Sequence, residues 1–355
     1  MVHVELSGPI TGGTRGGAFG RPMVDLAERG YRLDELVMSG TAVRYRHAGG
    51  GAPSEDGSWT AEAVEGSDQP YRTRVIVYRP ADPAAFNGTA IVCWNNVTAG
   101  YDLFGGDAPE ILEGGYAFVG VTVQKVGIDG LPPTPMGLAA WDAERYGSLF
   151  HPGDDHSFDI FTQAAAGARQ LDGLDVRNVV AMGGSQSASR LATYVNAIQP
   201  LTNAFDGFLL TIYFGNASAL EVGDTVVDIN RVPTQSAAAV LRGTNRLRDD
   251  LGVPVFVVNS ELEAISCLPV RQPDTDTFRY WEVAATSHVS VQSMAVRTPR
   301  FLRDFGTELP VTEGINRVSM LPIYDAALHH LRAWVADGTP PPSQPKIEFS
   351  EDGEI

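Results

Sequence analysis

From about residue 71 onward, apolar residues gather into short continuous runs, with helically spaced stretches between them. "YRTRVIVYRP" (71–80) reads as a strand and "TAIVCWNNV" (89–97) as a more buried one. A short helix in "APEILEGG" separates them from a third strand in "GYAFVGVTVQ" (115–124). "SFDIFTQAAAGARQL" (157–171) has helical apolar spacing. There follow "VRNVVAMGG" as strand, "SASRLATYVNAIQ" as helix, and "FDGFLLTIYFG", "VPVFVVNS" and "FRYWEVA" as strands. An amphipathic helix in "PIYDAALHHLRAWVADG" closes the pattern, stopped by Gly338 and a proline run. Apolar strands alternating with helices predict a mostly parallel central sheet covered by helices on both faces. Residues 1–70 are Gly-rich, with strands expected in "HVELSG" and "LVMSGTAVRYRH". They predict a β-rich N-terminal extension ahead of a main domain at 71–355. Residues 216–250 break the alternation and read as an excursion from the sheet, a candidate lid.

One junction of strand and helix carries chemistry. In "AMGGSQSASR" (181–190), Gly183, Gly184, Ser185, Gln186, Ser187 and Ala188 crowd one turn. A nucleophile elbow needs a strand, a serine at the apex of a strained turn, small flanking residues and a helix directly after. Here the pattern is Gly183-x-Ser185-x-Ser187, with Ser187 in place of the usual last glycine. The bland reading is a βα loop that happens to be rich in Gly and Ser; the strand running into the serine and the helix directly after it favour the elbow. Such a serine needs a base, and the base needs an orienting acid. Of seven histidines, His288 follows "FRYWEVA" in the short loop "ATSH", where the chain order serine, acid, histidine puts the base. The strand "VPVFVVNS" is followed by Glu261 and Glu263. Reach beyond the strand favours Glu263, with Glu261 as the alternative acid. An oxyanion hole would combine the backbone N–H of Gln186 with one from the loop after "AIVCW", where Asn95 to Thr98 are the candidates and Asn96 the expected donor, the alternative being that these asparagines only cap the strand end.

Composition narrows the partners. The 355 residues include 43% hydrophobic ones, and the formal net charge is −17. That sign repels nucleic acid and anionic membranes. No stretch reads as a signal peptide or a membrane span, so a cytoplasmic location is expected. Cys93 and Cys267 fit no zinc spacing, and their pairing is left open, as is the oligomeric state. "HPGDDH" (151–156) holds ligand-type residues, His151, Asp154, Asp155 and His156, but adjacent ligands seldom converge on one ion. It is read as a polar loop capping the next helix, so neither a metal nor another cofactor is expected. The glycines of "TGGTRGGAFG" do not follow a strand of a βαβ unit, which excludes a nucleotide loop. Trp94, Tyr101, Phe104, Trp141 and Tyr213 are candidates for a pocket lining, with the core the better reading for each taken singly.

Taken together, "WNNVTAGYDLF", "GYAFVGVTVQKVG", "HPGDDHSFDIFTQA", "GGSQSASRLATYVNA", "NSELEA" and "RQPDTDTFRYWEVAATSH" resemble an α/β-hydrolase. They are similar to a bacterial group known simply as α/β-hydrolase-domain proteins. The resemblance spans roughly residues 70–335 and implies a Ser185 nucleophile, a His288 base and a carboxylate in "NSELEA". That group more often has Asp where Glu263 stands and Gly where Ala285 stands. The expectation is a serine hydrolase that cleaves a small-molecule carboxylic ester through an acyl-enzyme on Ser185. A lactonase or other acyl-transfer enzyme on the same residues is the nearest alternative. A non-catalytic small-molecule receptor on the same fold is a different class, which would have no need of all three residues.

Overall fold

A computed structural model describes residues 4–50, 53–222, 243–309 and 313–350. Nine strands form one sheet: β1 (Val4–Ser7), β2 (Tyr31–Ala42), β5 (Gln69–Pro80), β6 (Thr89–Trp94), β7 (Ala117–Val121), β8 (Asn178–Gly184), β9 (Gly207–Thr211), β10 (Val255–Ser260) and β11 (Phe278–Val283). Two short strands, β3 (Tyr45–His47) and β4 (Ala61–Ala63), pair with each other apart from it. The spatial order is β1-β2-β5-β7-β6-β8-β9-β10-β11. The six strands from β7 to β11 in that order run parallel, and β5, β2 and β1 extend the sheet antiparallel. The expected boundary at residue 70 therefore falls inside β5. The strands of the N-terminal stretch that reach the sheet continue it, because β2 pairs with β5 over twelve residues from Tyr31↔Pro80 to Ala42↔Gln69.

The unbroken apolar runs have a direct cause. Alternate residues of each central strand enter opposite cores. Val75, Val92, Val119, Ala181, Phe208 and Val257 join the helix Ser157–Ala168 and the helix Gln186–Thr193 on one face. Ile76, Ile91, Phe118, Val180, Leu209 and Phe256 join the helix Leu321–Asp337 on the other. A strand covered on both sides has no polar face to show, so a polar–apolar alternation never appears.

The topology also decides where a site can form. From β6 the chain crosses to β7 on one side, then returns past β6 to β8 on the other. Loops leaving β6 and β8 thus diverge, and a crevice opens at the carboxyl ends of these strands. Of the candidate lid, residues 223–242 lie outside the described residues. The helix Val291–Phe305, which the apolar pattern did not reveal, stands over this crevice. Among the described residues no helix is long and apolar enough to cross a membrane.

Candidate active site

Strand β8 ends in a turn whose apex is Ser185, with φ 58° and ψ −120°. Those angles belong to the first central residue of a type II′ turn and favour glycine over any L-residue. Keeping serine there stores backbone strain on the order of 1–3 kcal/mol. Neighbouring contacts hold it. The Ser185 N–H donates to Thr211 O at 3.0 Å, tying the turn to the end of β9. A Cβ on Gly184 would lie 2.7 Å from Thr211 Oγ1, so only glycine fits beside the apex. The Ser187 hydroxyl is 2.9 Å from both the N–H and the carbonyl oxygen of Gly184, accepting from one and donating to the other. The serine that replaces a glycine in the motif is therefore a clamp on the turn.

Three side chains meet in series at this apex. Ser185 Oγ lies 3.0 Å from His288 Nε2, and His288 Nδ1 lies 2.7 Å from Glu263 Oε1. The second oxygen of Glu263 accepts from the Ser260 hydroxyl, and the carboxylate is fully buried. Phe214 stacks on the imidazole at 5.2 Å between ring centroids. Glu261 does not join them. The helix Glu261–Cys267 begins at the end of β10, and residues two apart on it point about 200° apart around its axis. Glu261 Oε2 instead accepts the Ala285 N–H at 2.7 Å, bracing the loop that carries His288. Ala285 itself has φ 58°, a left-handed conformation that glycine adopts freely.

The loop after β6 is set from below. Asp102 Oδ2 accepts from Asn95 Nδ2 at 3.2 Å, from Arg74 Nη2 at 3.3 Å and from the Thr122 hydroxyl. Burial raises the Asp102 carboxyl, and Arg74 pulls it back down. Asn96 is a correction. Its N–H donates to Leu103 O at 2.9 Å, closing the loop on itself, so it is not available to an oxyanion. Its side-chain amide donates to Gly184 O at 3.0 Å and supports the Ser185 turn instead. Gln186 opens the helix Gln186–Thr193, where a first-turn N–H has no carbonyl of its own helix to bond. Its side chain donates to Gln124 Oε1 at 2.9 Å.

The "HPGDDH" loop packs behind this turn rather than capping the helix after it. No side chain caps the helix Ser157–Ala168. Asp154 instead accepts from the Lys125 N–H at 2.9 Å and from Gln124 Nε2 at 3.0 Å, and its carboxylate lies 3.5 Å from Arg190 on the helix following Ser185. His156 Nε2 bonds Ser67 O at 3.0 Å, and Asp155 accepts from the Val222 N–H at 2.6 Å. His151 accepts from the Gly153 N–H and bonds Val123 O, and burial pushes it down to about 4. An unfolded His151 takes up its proton at ordinary pH near about 6.5, before the native one does. The native state therefore has its full advantage above that pH, on the order of 3 kcal/mol, and loses it as pH falls toward about 4. The stability gap between wild type and His151→Gln should accordingly narrow over that range, measured by urea midpoints. A gap independent of pH would overturn this account.

A cavity of about 560 Å³ opens over Ser185 and His288. Trp94, Tyr101 and Phe104 line it, although the sequence favours the core for each, whereas Trp141 and Tyr213 are buried in the cores. Cys93 and Cys267 are both free, and burial pushes each thiol up to about 12. One wall of the cavity is the helix Val291–Phe305, whose residues the apolar periodicity missed. Pro299 interrupts its pattern, but its ends were marked: Ser290 and Ser293 form a reciprocal capping box, and Gly306 ends it in a left-handed cap. Among the described residues no group of three or more His, Cys, Asp or Glu is placed to hold a metal ion.

A family described as "Alpha/beta hydrolase domain" matches residues 6–355. Among solved structures, the chain is similar to a glucuronoyl esterase from Solibacter usitatus, with 11% identity, a TM-score of 0.37, and 86% of each chain covered. It is similar also to fungal esterases from Rhizomucor miehei, at 11% identity and a TM-score of 0.36, covering 89% of this chain and 92% of that one. A third is brefeldin A esterase, a bacterial homologue of human hormone sensitive lipase, at 13% identity and a TM-score of 0.34, covering 85% and 76%. No curated protein matches the chain.

Proposed function

The chain belongs to the alpha/beta hydrolase domain family, and from that premise we propose that it is a serine hydrolase of small carboxylic esters. The observation that carries the reading is the series Ser185–His288–Glu263, with spacings of 3.0 and 2.7 Å, at a strained apex facing a cavity. Ser185 Oγ attacks the ester carbonyl carbon while its proton passes to His288 Nε2. The carbonyl oxygen becomes an oxyanion held by the Gln186 N–H. With the Asn96 amide taken, the second donor is another amide of the loop after β6. Collapse breaks the bond to the alcohol oxygen, which leaves with the proton from Nε2. Water then attacks the acyl carbon, gives one proton to Nε2, and Ser185 Oγ recovers it as the acid departs. Glu263 keeps its charge throughout and fixes Nδ1–H toward itself, which leaves Nε2 as the base. A fluorophosphonate should label one serine, and peptide mass mapping should place the adduct on Ser185. An adduct on Ser187 or Ser189 would reject the assignment.

A further inference from the structure

We infer that the cavity is built for esters bearing a second, free carboxylate, which Arg297 binds. The inference rests on the hydrolase reading and names its substrate class. Of the charged side chains on the cavity wall other than His288, Asp102, Asp107, Arg300 and Asp304 each have an opposite charge within 3.3 Å: Arg74, Arg300, Asp107 and Arg303 respectively. Arg297 has no ion-pair partner among the described residues. Its Nε, like that of Arg300, is buried without a hydrogen-bond partner, so it is the missing counter-charge that sets Arg297 apart. The guanidinium stands against the Tyr101 hydroxyl and counters the effect of burial on that phenol.

A cation without a counter-charge on a catalytic wall is costly to keep, because a buried donor without a partner has given up its hydration. The cost is recovered when an anion arrives, and a guanidinium offers a planar fork that fits a carboxylate. The contrast with the next turn is informative. Arg300 on the same helix donates to Asp107 at 2.7 Å and to Phe104 O at 3.0 Å, so its charge is already answered. A dianion such as a phosphate would want more than one open cation and would face the aspartates of the same wall. A monoanion matches a single fork.

The wall around Arg297 is apolar. Phe301 and Phe305 follow Arg297 at four-residue steps and share its face of the helix. Tyr101 packs on both, at 5.9 and 5.0 Å, and Phe19 meets Phe305 at 5.7 Å. The part of the ligand next to its carboxylate thus meets an apolar wall. The net charge of −17 gives such a substrate no long-range help, so its selection falls to this one side chain.

Two matched pairs test this by pH-stat hydrolysis. Monomethyl adipate against methyl hexanoate puts the carboxylate on the acyl side. The acetate ester of hydroxyhexanoate against hexyl acetate puts it on the alcohol side. In at least one pair the carboxylate member should have kcat/KM about tenfold or more above its neutral partner, carried mostly in KM. Arg297→Gln should abolish that ratio, and Arg297→Lys, which keeps the charge but loses the fork, should lower it several-fold. No preference in either pair, or a preference that both variants retain, overturns the inference. Calorimetric titration of Ser185→Ala protein separates this from the hydrolase reading. Hexanoate binding that Arg297→Gln abolishes, with no ester turned over by wild type, would keep the anion site and remove the hydrolase. Ester turnover without hexanoate binding or carboxylate preference would do the opposite. Hexyl phosphate binding more tightly than hexanoate would overturn the choice of a carboxylate.

Discussion

Ser185→Ala should lower kcat for a short-chain ester by about 10⁵-fold, equivalent to ~7 kcal/mol of barrier. The magnitude follows from how the three side chains act. Without Ser185 Oγ there is no acyl-enzyme, and His288 and Glu263 have nothing to activate except water held in a site shaped for a covalent step. Residual catalysis comes from the oxyanion donors and from binding. Alanine retains the Cβ at φ 58°, ψ −120°, so the strain of the turn is unchanged and the melting temperature should stay near that of wild type. Ser185→Gly, equally inactive, suits that conformation and should melt higher. Steady-state kinetics beside thermal unfolding of both variants checks this. A Ser185→Ala protein within tenfold of wild type would remove Ser185 from the chemistry.

Glu263→Gln should cost about 10³- to 10⁴-fold in kcat, while Glu261→Gln should stay within a few-fold. On the proposed mechanism, the carboxylate 2.7 Å from His288 Nδ1 fixes the tautomer and steadies the imidazolium that forms when Ser185 gives up its proton. A glutamine amide in its place can present N–H to Nδ1 and so favour the wrong tautomer. Glu261 accepts a single backbone N–H, from Ala285, and a glutamine carbonyl does the same work. Measured kcat for both variants decides between them. A large loss in Glu261→Gln with little in Glu263→Gln would exchange their roles.

The contrast between these two glutamates shows where reading the chain stops. Strand identities follow from continuous apolar runs, because each central residue is buried by one of two cores. The Ser185 turn follows from its own neighbours, because strain at an apex demands small flanking groups within a few residues. Both are local demands, and so they are written locally. Which glutamate meets His288 depends on the rotational phase of the helix Glu261–Cys267 at the end of β10, and reach alone could only favour one. The pairing of the Asn96 amide with Leu103 depends on how the loop after β6 folds back over Asp102. The continuation of the sheet into residues 1–70 depends on β2 finding β5, a pairing that no periodicity announces. Arg297 reads in the sequence as one more surface arginine. Only the packing of the helix Val291–Phe305 over the crevice sets it on the cavity wall, while Asp107 and Asp304 are taken by its neighbours. By itself, the sequence determined the layered fold and pointed to the positions of the proposed nucleophile and base. The tertiary structure decided which acid, which amide and which cation face them, because those choices are made by contacts between residues far apart in the chain.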